Sequence, residues 1–87
     1  MKFGGLLVSA DDPLILVFAR CLKVPERELN DASSPDTIAS WDSLAAMSLV
    51  SELEETFRVS LSTREIMRMR TIGVAREVLR QKGVTGI

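Results

Sequence analysis

The sequence predicts an all-α fold, a bundle of three longer helices and a short third one, with a long loop between the first and the second. Three observations predict it. Apolar residues recur at steps of three and four along most of the chain. Residues that favour helix starts stand at Asp12, Ser43, Ser62 and Thr71. No convincing strand series and no internal repeat interrupts the pattern. Eighty-seven residues with 46% hydrophobic and 26% charged content bound one small domain with a modest core, and argue against disorder. A large internal active site is not expected at this size. The longest aliphatic and aromatic run, Leu14 to Ala19, is far too short to cross a bilayer, so a soluble protein is expected; a cytoplasmic location and a monomeric state are expected as well.

Residues 1–10 read as a flexible amino-terminal arm, 11–83 as the domain and 84–87 as a tail. Lys2, the apolar Phe3 to Val8 and the small residues to Ala10 outline a signal peptide in miniature, but the apolar part is shorter than the usual h-region and contains Gly4-Gly5. A loose arm is the preferred reading. The first helix begins near Asp12-Pro13, because aspartate caps and proline fits the first turn. Leu14, Val17, Phe18 and Cys21 then share one face, and Pro25 limits the far end. Cys21 is the only cysteine, so no intramolecular disulfide can form; it reads as a small buried hydrophobe, and no zinc or other metal site is expected.

From Glu26 to Ser40 a polar run reads as a long ordered loop that Leu29 and Ile38 pin to the core; connections of this length are often functional. The second helix, Ser43 to Phe57, carries an expected core stripe of Met47, Val50, Leu53 and Phe57. Ser48, Ser51, Glu52 and Glu55 face solvent, and Ala45 and Ala46 add helix propensity. Ser62 and Glu65 fit a capping box that starts a short third helix reaching about Arg70. Thr71 caps the last helix, in which Ile72, Ala75 and Val78 or Leu79 make the buried stripe before an end near Gly83.

The chain has no histidine, so the imidazole base of the usual Ser-His or Cys-His arrangements is missing, which weighs against self-contained hydrolytic catalysis. Ser43 is the candidate site. A serine at a helix amino end is exposed by geometry, and the free N–H groups there favour an anion such as a phosphodiester. Serine is equally a preferred helix cap that needs no modification, and local chemistry leaves both readings open. Charge is uneven. Residues 41–57 hold Asp42, Glu52, Glu54 and Glu55 and no cation, whereas from Arg58 onward seven basic side chains outnumber Glu65 and Glu77.

Asp42-Ser43-Leu44, the Leu49-Val50 pair, Leu53-Glu54-Glu55 and Phe57 form one continuous block that resembles the acyl carrier protein family. Thr71-Ile72-Gly73 resembles that family's fourth-helix start, and Leu22-Lys23-Val24, Leu29 and the spacing from there to Ser43 are similar to it as well. The resemblance spans roughly Leu14 to Gly83, and the tripeptide embedded in the whole helical pattern is far more specific than the tripeptide alone. It implies an acyl-carrier-like four-helix bundle that does no chemistry itself. A separate phosphopantetheinyl transferase using coenzyme A would esterify Ser43 with 4′-phosphopantetheine. Acyl groups would ride on the arm's thiol as thioesters, at a raised effective concentration for acyl-activating, acyltransferase or ketosynthase-type partners. Asp42 is implied as a residue the transferase reads, although a carboxylate there also suits the helix macrodipole. Leu44 resembles the family residue that packs against partners, and an ordinary contact with the preceding loop is its alternative.

The departures from the family pattern bear on docking. Fatty-acid carriers place further acidic residues one turn past the serine, where this chain has Ala45 and Ser48; only Glu54 and Glu55 remain of that series, with Glu52 added. Arg64, Arg68 and Arg70 form a basic cluster where bulk fatty-acid carriers are acidic, either as a solvated face or as a surface for acidic partners. Trp41 replaces the usual small residue before Asp-Ser, a start that resembles discrete carriers of specialised pathways; its indole could equally cover apolar surface where the loop meets the second helix. The expectation is therefore a free-standing carrier of specialised metabolism, polyketide assembly among the candidates, ahead of a primary fatty-acid carrier and an aminoacyl or peptidyl carrier. Rivals of other classes are an unmodified helical interaction module and a nucleic-acid-binding domain built on the basic tail, the latter lacking an aromatic stacking platform.

Overall fold

The computed structural model describes residues 12–87, so the arm and its signal-like stretch lie outside the described residues. Helix α1 spans Pro13–Leu22. Asp12 caps it by accepting the Ile15 N–H at 3.2 Å. The helix stops where Lys23 turns left-handed at φ 59°, with Pro25 just beyond to prevent its resumption. Leu14, Val17 and Phe18 are buried as expected. Cys21 is not. It is only half-buried, and Leu22 takes the inward position at 1% exposure.

The stretch read as one loop holds a short 3-10 turn at Glu26–Glu28. Leu29 is buried and Ile38 packs partly buried against the core, which ties the connection down at both points. Local hydrogen bonds shape the rest. The Asn30 N–H donates to the Ser33 hydroxyl at 2.9 Å, and the Ser40 hydroxyl donates to the Leu22 carbonyl at 2.6 Å, closing the end of α1.

Helix α2 covers Ser43–Phe57, the predicted span, but its inward face is rotated from the predicted stripe. Leu49 and Leu53 are the buried residues, flanked by the partly buried Ala46, Val50 and Phe57, while Met47 is 69% exposed. Met47 lies about 200° around the helix from Leu49, so the two cannot face the core together. The predicted stripe chose the wrong phase at its first member. Past the end of α2 the chain turns back so that the Leu61 N–H donates to the Glu54 carboxylate at 2.8 Å, fixing the turn that buries Leu61.

Helix α3 is Thr63–Arg68, and its capping box is complete: Ser62 accepts from the Glu65 N–H at 3.1 Å while Glu65 accepts from the Ser62 N–H at 2.9 Å. It ends two residues before the predicted limit because Met69 bonds three residues back to Ile66 and the Arg70 N–H turns to the Arg68 carbonyl. Helix α4 is Ile72–Gln81, capped by Thr71 on the Val74 N–H at 3.1 Å. Both Val78 and Leu79 are buried, with Ile72 and Ala75.

Helix α1 packs on α2 and α4, and α3 packs on α4; no strand occurs among the described residues. Phe18, Leu14, Leu22, Leu53, Ile72 and Leu79 form the centre of the core. The loop is clamped to α4 by three means. The N–H groups of Ile72 and Gly73 donate to the carbonyls of Ser33 at 3.2 Å and Asp31 at 2.9 Å. A Cβ at Gly73 would stand 3.0 Å from the Asp31 carbonyl oxygen, so this close approach calls for glycine. Arg76 then pairs with both Asp12 at 3.0 Å and Asp31 at 2.8 Å, joining the start of α1, the loop and α4. Among the described residues, no helix is long and apolar enough to cross a membrane.

Candidate functional site

Position 43 sits where the clamped loop delivers the chain into α2. The cap of that helix is Asp42, whose Oδ1 accepts the Ala45 N–H at 2.9 Å. Ser43 is therefore the first helical residue rather than the cap, and it is exposed, with its hydroxyl released from capping duty. The capping alternative for Ser43 is set aside by this register.

Ser43 stands on the wall of an open groove of about 360 Å³. One side is the loop and the start of α2, through Pro35, Trp41, Asp42 and Ala46; the other is α3 and the turn after it, through Ile66, Met67, Met69 and Arg70. Beneath it lies a small apolar cavity of about 40 Å³ bounded by Phe18, Leu49, Val50 and Leu53, which shares Trp41, Ala46, Ile66 and Met69 with the groove. Trp41 is 7% exposed, its ring centroid 5.3 Å from that of Phe18. The indole thus covers apolar surface at the junction of loop and helix, and its edge forms part of the groove.

The predicted site residues separate into distinct surroundings. Leu44 is 77% exposed, one helical turn before the exposed Met47, and contacts with the preceding loop do not cover it. Met67, also exposed, lies in the groove itself, so apolar side chains flank Ser43 on α2 and α3. Ala45 is half-buried. Ser48 borders a different depression, with Arg20, Cys21, Lys23 and Glu52. Glu55 is exposed, whereas the Glu54 carboxylate is engaged with the Leu61 N–H. Arg64 and Arg68 are exposed on α3. Met67 was not predicted as a site residue, and Arg70 was read only as part of the basic cluster for acidic partners; both reach the groove through the packing of α3 and the turn after it, which no local pattern encodes.

Electrostatics around the site are set by which charges are already paired. Glu52 pairs with Arg20 at 3.3 Å, and Glu65 with Lys82 at 3.0 Å. The Ser62 N–H and then Lys82 hold the Glu65 carboxyl below the usual range. Burial, followed by the charge of Glu52, pushes the Cys21 thiol up. Arg64, Arg68 and Arg70 take part in none of the ion pairs found among the described residues.

A family model described as a phosphopantetheine attachment site matches residues 12–75. No curated protein matches the chain.

Proposed function

The chain belongs to the phosphopantetheine-binding carrier family, whose domain is the site of covalent 4′-phosphopantetheine attachment, and from that premise we propose that Ser43 is the serine that bears the arm. One observation carries this reading. Asp42 takes the cap, which leaves the Ser43 hydroxyl exposed on the rim of an open groove at a helix amino end. The residues present fit the group: the helix amino end suits its phosphate through the N–H groups of Ser43 and Leu44, those of Ala45 and Ala46 being taken by Asp42, and a groove walled by Ala46, Ile66, Met67 and Met69 with a polar rim suits an extended amphipathic chain. When bound, the arm supplies a thiol that holds acyl groups as thioesters.

The chain's own residues then have defined tasks. The Ser43 oxygen attacks the pantetheine-bearing phosphorus of coenzyme A and becomes the ester oxygen as the pyrophosphate P–O bond breaks and adenosine 3′,5′-bisphosphate leaves, while its proton passes to a base brought by the transferase, since the chain has no histidine of its own. Asp42 fixes the register that exposes the hydroxyl. Leu44 and Met47 offer apolar contact to the transferase and to acyl-handling enzymes. Carrier domains of this family work with such enzymes and are not themselves catalysts. We assign the protein to specialised metabolism in the cytoplasm, in polyketide assembly or the modification of a small acyl unit. Support comes from Ala45 and Ser48, which stand where the resemblance places the acidic residues of fatty-acid carriers.

Incubation with a broad-specificity phosphopantetheinyl transferase and coenzyme A tests the attachment. Intact mass should rise by one phosphopantetheine in the parent protein and not in Ser43→Ala. No mass gain, or an equal gain in the variant, refutes it.

A further inference from the structure

Loading Ser43 would set a phosphodiester, with its negative charge, directly beside the Asp42 carboxylate. The helix amino end offsets part of that repulsion, since its N–H groups favour anions. The cation lining the same groove is Arg70, and its place there is fixed from both sides. Met69 ends α3 with its N–H on the Ile66 carbonyl, and the Arg70 N–H bonds the Arg68 carbonyl at 2.8 Å. One residue on, Thr71 caps α4, and Ile72 is held to the Ser33 carbonyl. The backbone of Arg70 is thus anchored between two helix ends, and the residue lines the groove that Asp42 and Ser43 line as well.

Arg70 takes part in none of the ion pairs among the described residues. Glu65, an acid of the same helix pair, is taken by Lys82, and Glu54 is taken by the Leu61 N–H. Asp42 is the carboxylate that shares the groove, and its Oδ1 is already an acceptor for Ala45. A planar guanidinium matches a phosphodiester's two free oxygens better than an ammonium does, because it can present two parallel N–H donors.

We propose that Arg70 is a positioning residue that pairs with the phosphodiester on Ser43 and directs the arm across the groove toward α3. This rests on Ser43 as the attachment serine. The pair neutralises the charge that loading adds next to Asp42 and restrains the first bonds of the arm, leaving its thiol end free to reach partners.

Nuclear magnetic resonance of ¹⁵N-labelled protein before and after loading tests it, with Arg70→Gln identifying the Arg70 Nε–Hε signal and intact mass establishing that the arm is on Ser43. The Arg70 signal should shift on loading while those of Arg64 and Arg68 stay in place. The phosphorus resonance of the loaded protein should move in Arg70→Gln and lie between the two in Arg70→Lys. An Arg70 signal that is the same before and after loading, or a phosphorus resonance indifferent to Arg70→Gln, overturns the pair while leaving the attachment intact. A protein that takes no arm, or takes it in Ser43→Ala, overturns the attachment and the pair together.

Discussion

Replacing Arg76 by methionine should open the clamp between the start of α1, the loop and α4. The Arg76 side chain is 12% exposed, and its guanidinium reaches Asp12 Oδ2 at 3.0 Å and Asp31 Oδ1 at 2.8 Å. A hydrogen bond to a charged group contributes about 1.5–3 kcal/mol net. Asp12 is 34% exposed, so its share belongs near the bottom of that range. Asp31 is 59% exposed, and solvent screening reduces its share to about 0.2–1 kcal/mol. Arg76→Met should therefore cost about 1.7–2.5 kcal/mol. For a domain of this size that lowers the melting temperature by about 7–20 °C. Thermal and urea unfolding followed by circular dichroism read the loss. Asp12→Asn keeps a good helix cap while removing the charge, so the double-mutant cycle isolates the ion pair, with an expected coupling of about 1–2 kcal/mol. The pH dependence carries a sign. Partial burial pushes the Asp12 carboxyl up, but hydrogen bonds from Arg76 and the Ile15 N–H, with the arginine's charge, outweigh it and hold the group below its ordinary 3.8. Its contribution is thus complete above that value and disappears as pH falls through the depressed one. Parent and Arg76→Met stabilities should converge in acid. A loss under about 0.5 kcal/mol at neutral pH, the range of ordinary surface changes, refutes the clamp.

Two further expectations follow from burial. Leu49→Ala should cost about 2–5 kcal/mol, as for other buried leucines, whereas Met47→Gln should stay within about 0.5 kcal/mol of the parent; equal losses on urea unfolding would contradict the rotated face of α2. The Cys21 thiol, held above its ordinary 9.0 by burial and then Glu52, should react slowly with a disulfide reagent at pH 7 and accelerate as pH rises past that value. A fast reaction at neutral pH would contradict the environment described for it.

Helix starts were the most legible part of the chain, because capping is local chemistry. Asp12, Ser62 with Glu65, and Thr71 all do what their types and spacings predict. The inward phase of α2 was less legible. Met47, Leu49, Val50 and Leu53 are all apolar, so periodicity admits two stripes, and only packing against α1 selects Leu49 with Leu53. Cys21 and Leu22 posed the same ambiguity at the end of α1. The clamp was invisible, since Asp31 and Arg76 are 45 residues apart and neither stands in a recognisable pattern. At the site, the sequence pointed to Ser43 but credited it with a possible cap that Asp42 supplies. Glu54 looked like a free surface acid, and the Leu61 N–H that occupies it lies beyond the end of its helix. Glycine marks neither the end of α1 nor that of α2, because Lys23 and Arg58 take left-handed backbone there in its place.

The indole of Trp41 stands between the interior and the groove beside Ser43. The chain has one tryptophan and no tyrosine, so its ultraviolet emission comes from that single vantage point. The protein is thereby born with an optical gauge: an occupant of the groove that packs against this indole should change the colour or brightness of one fluorophore, without any label being attached.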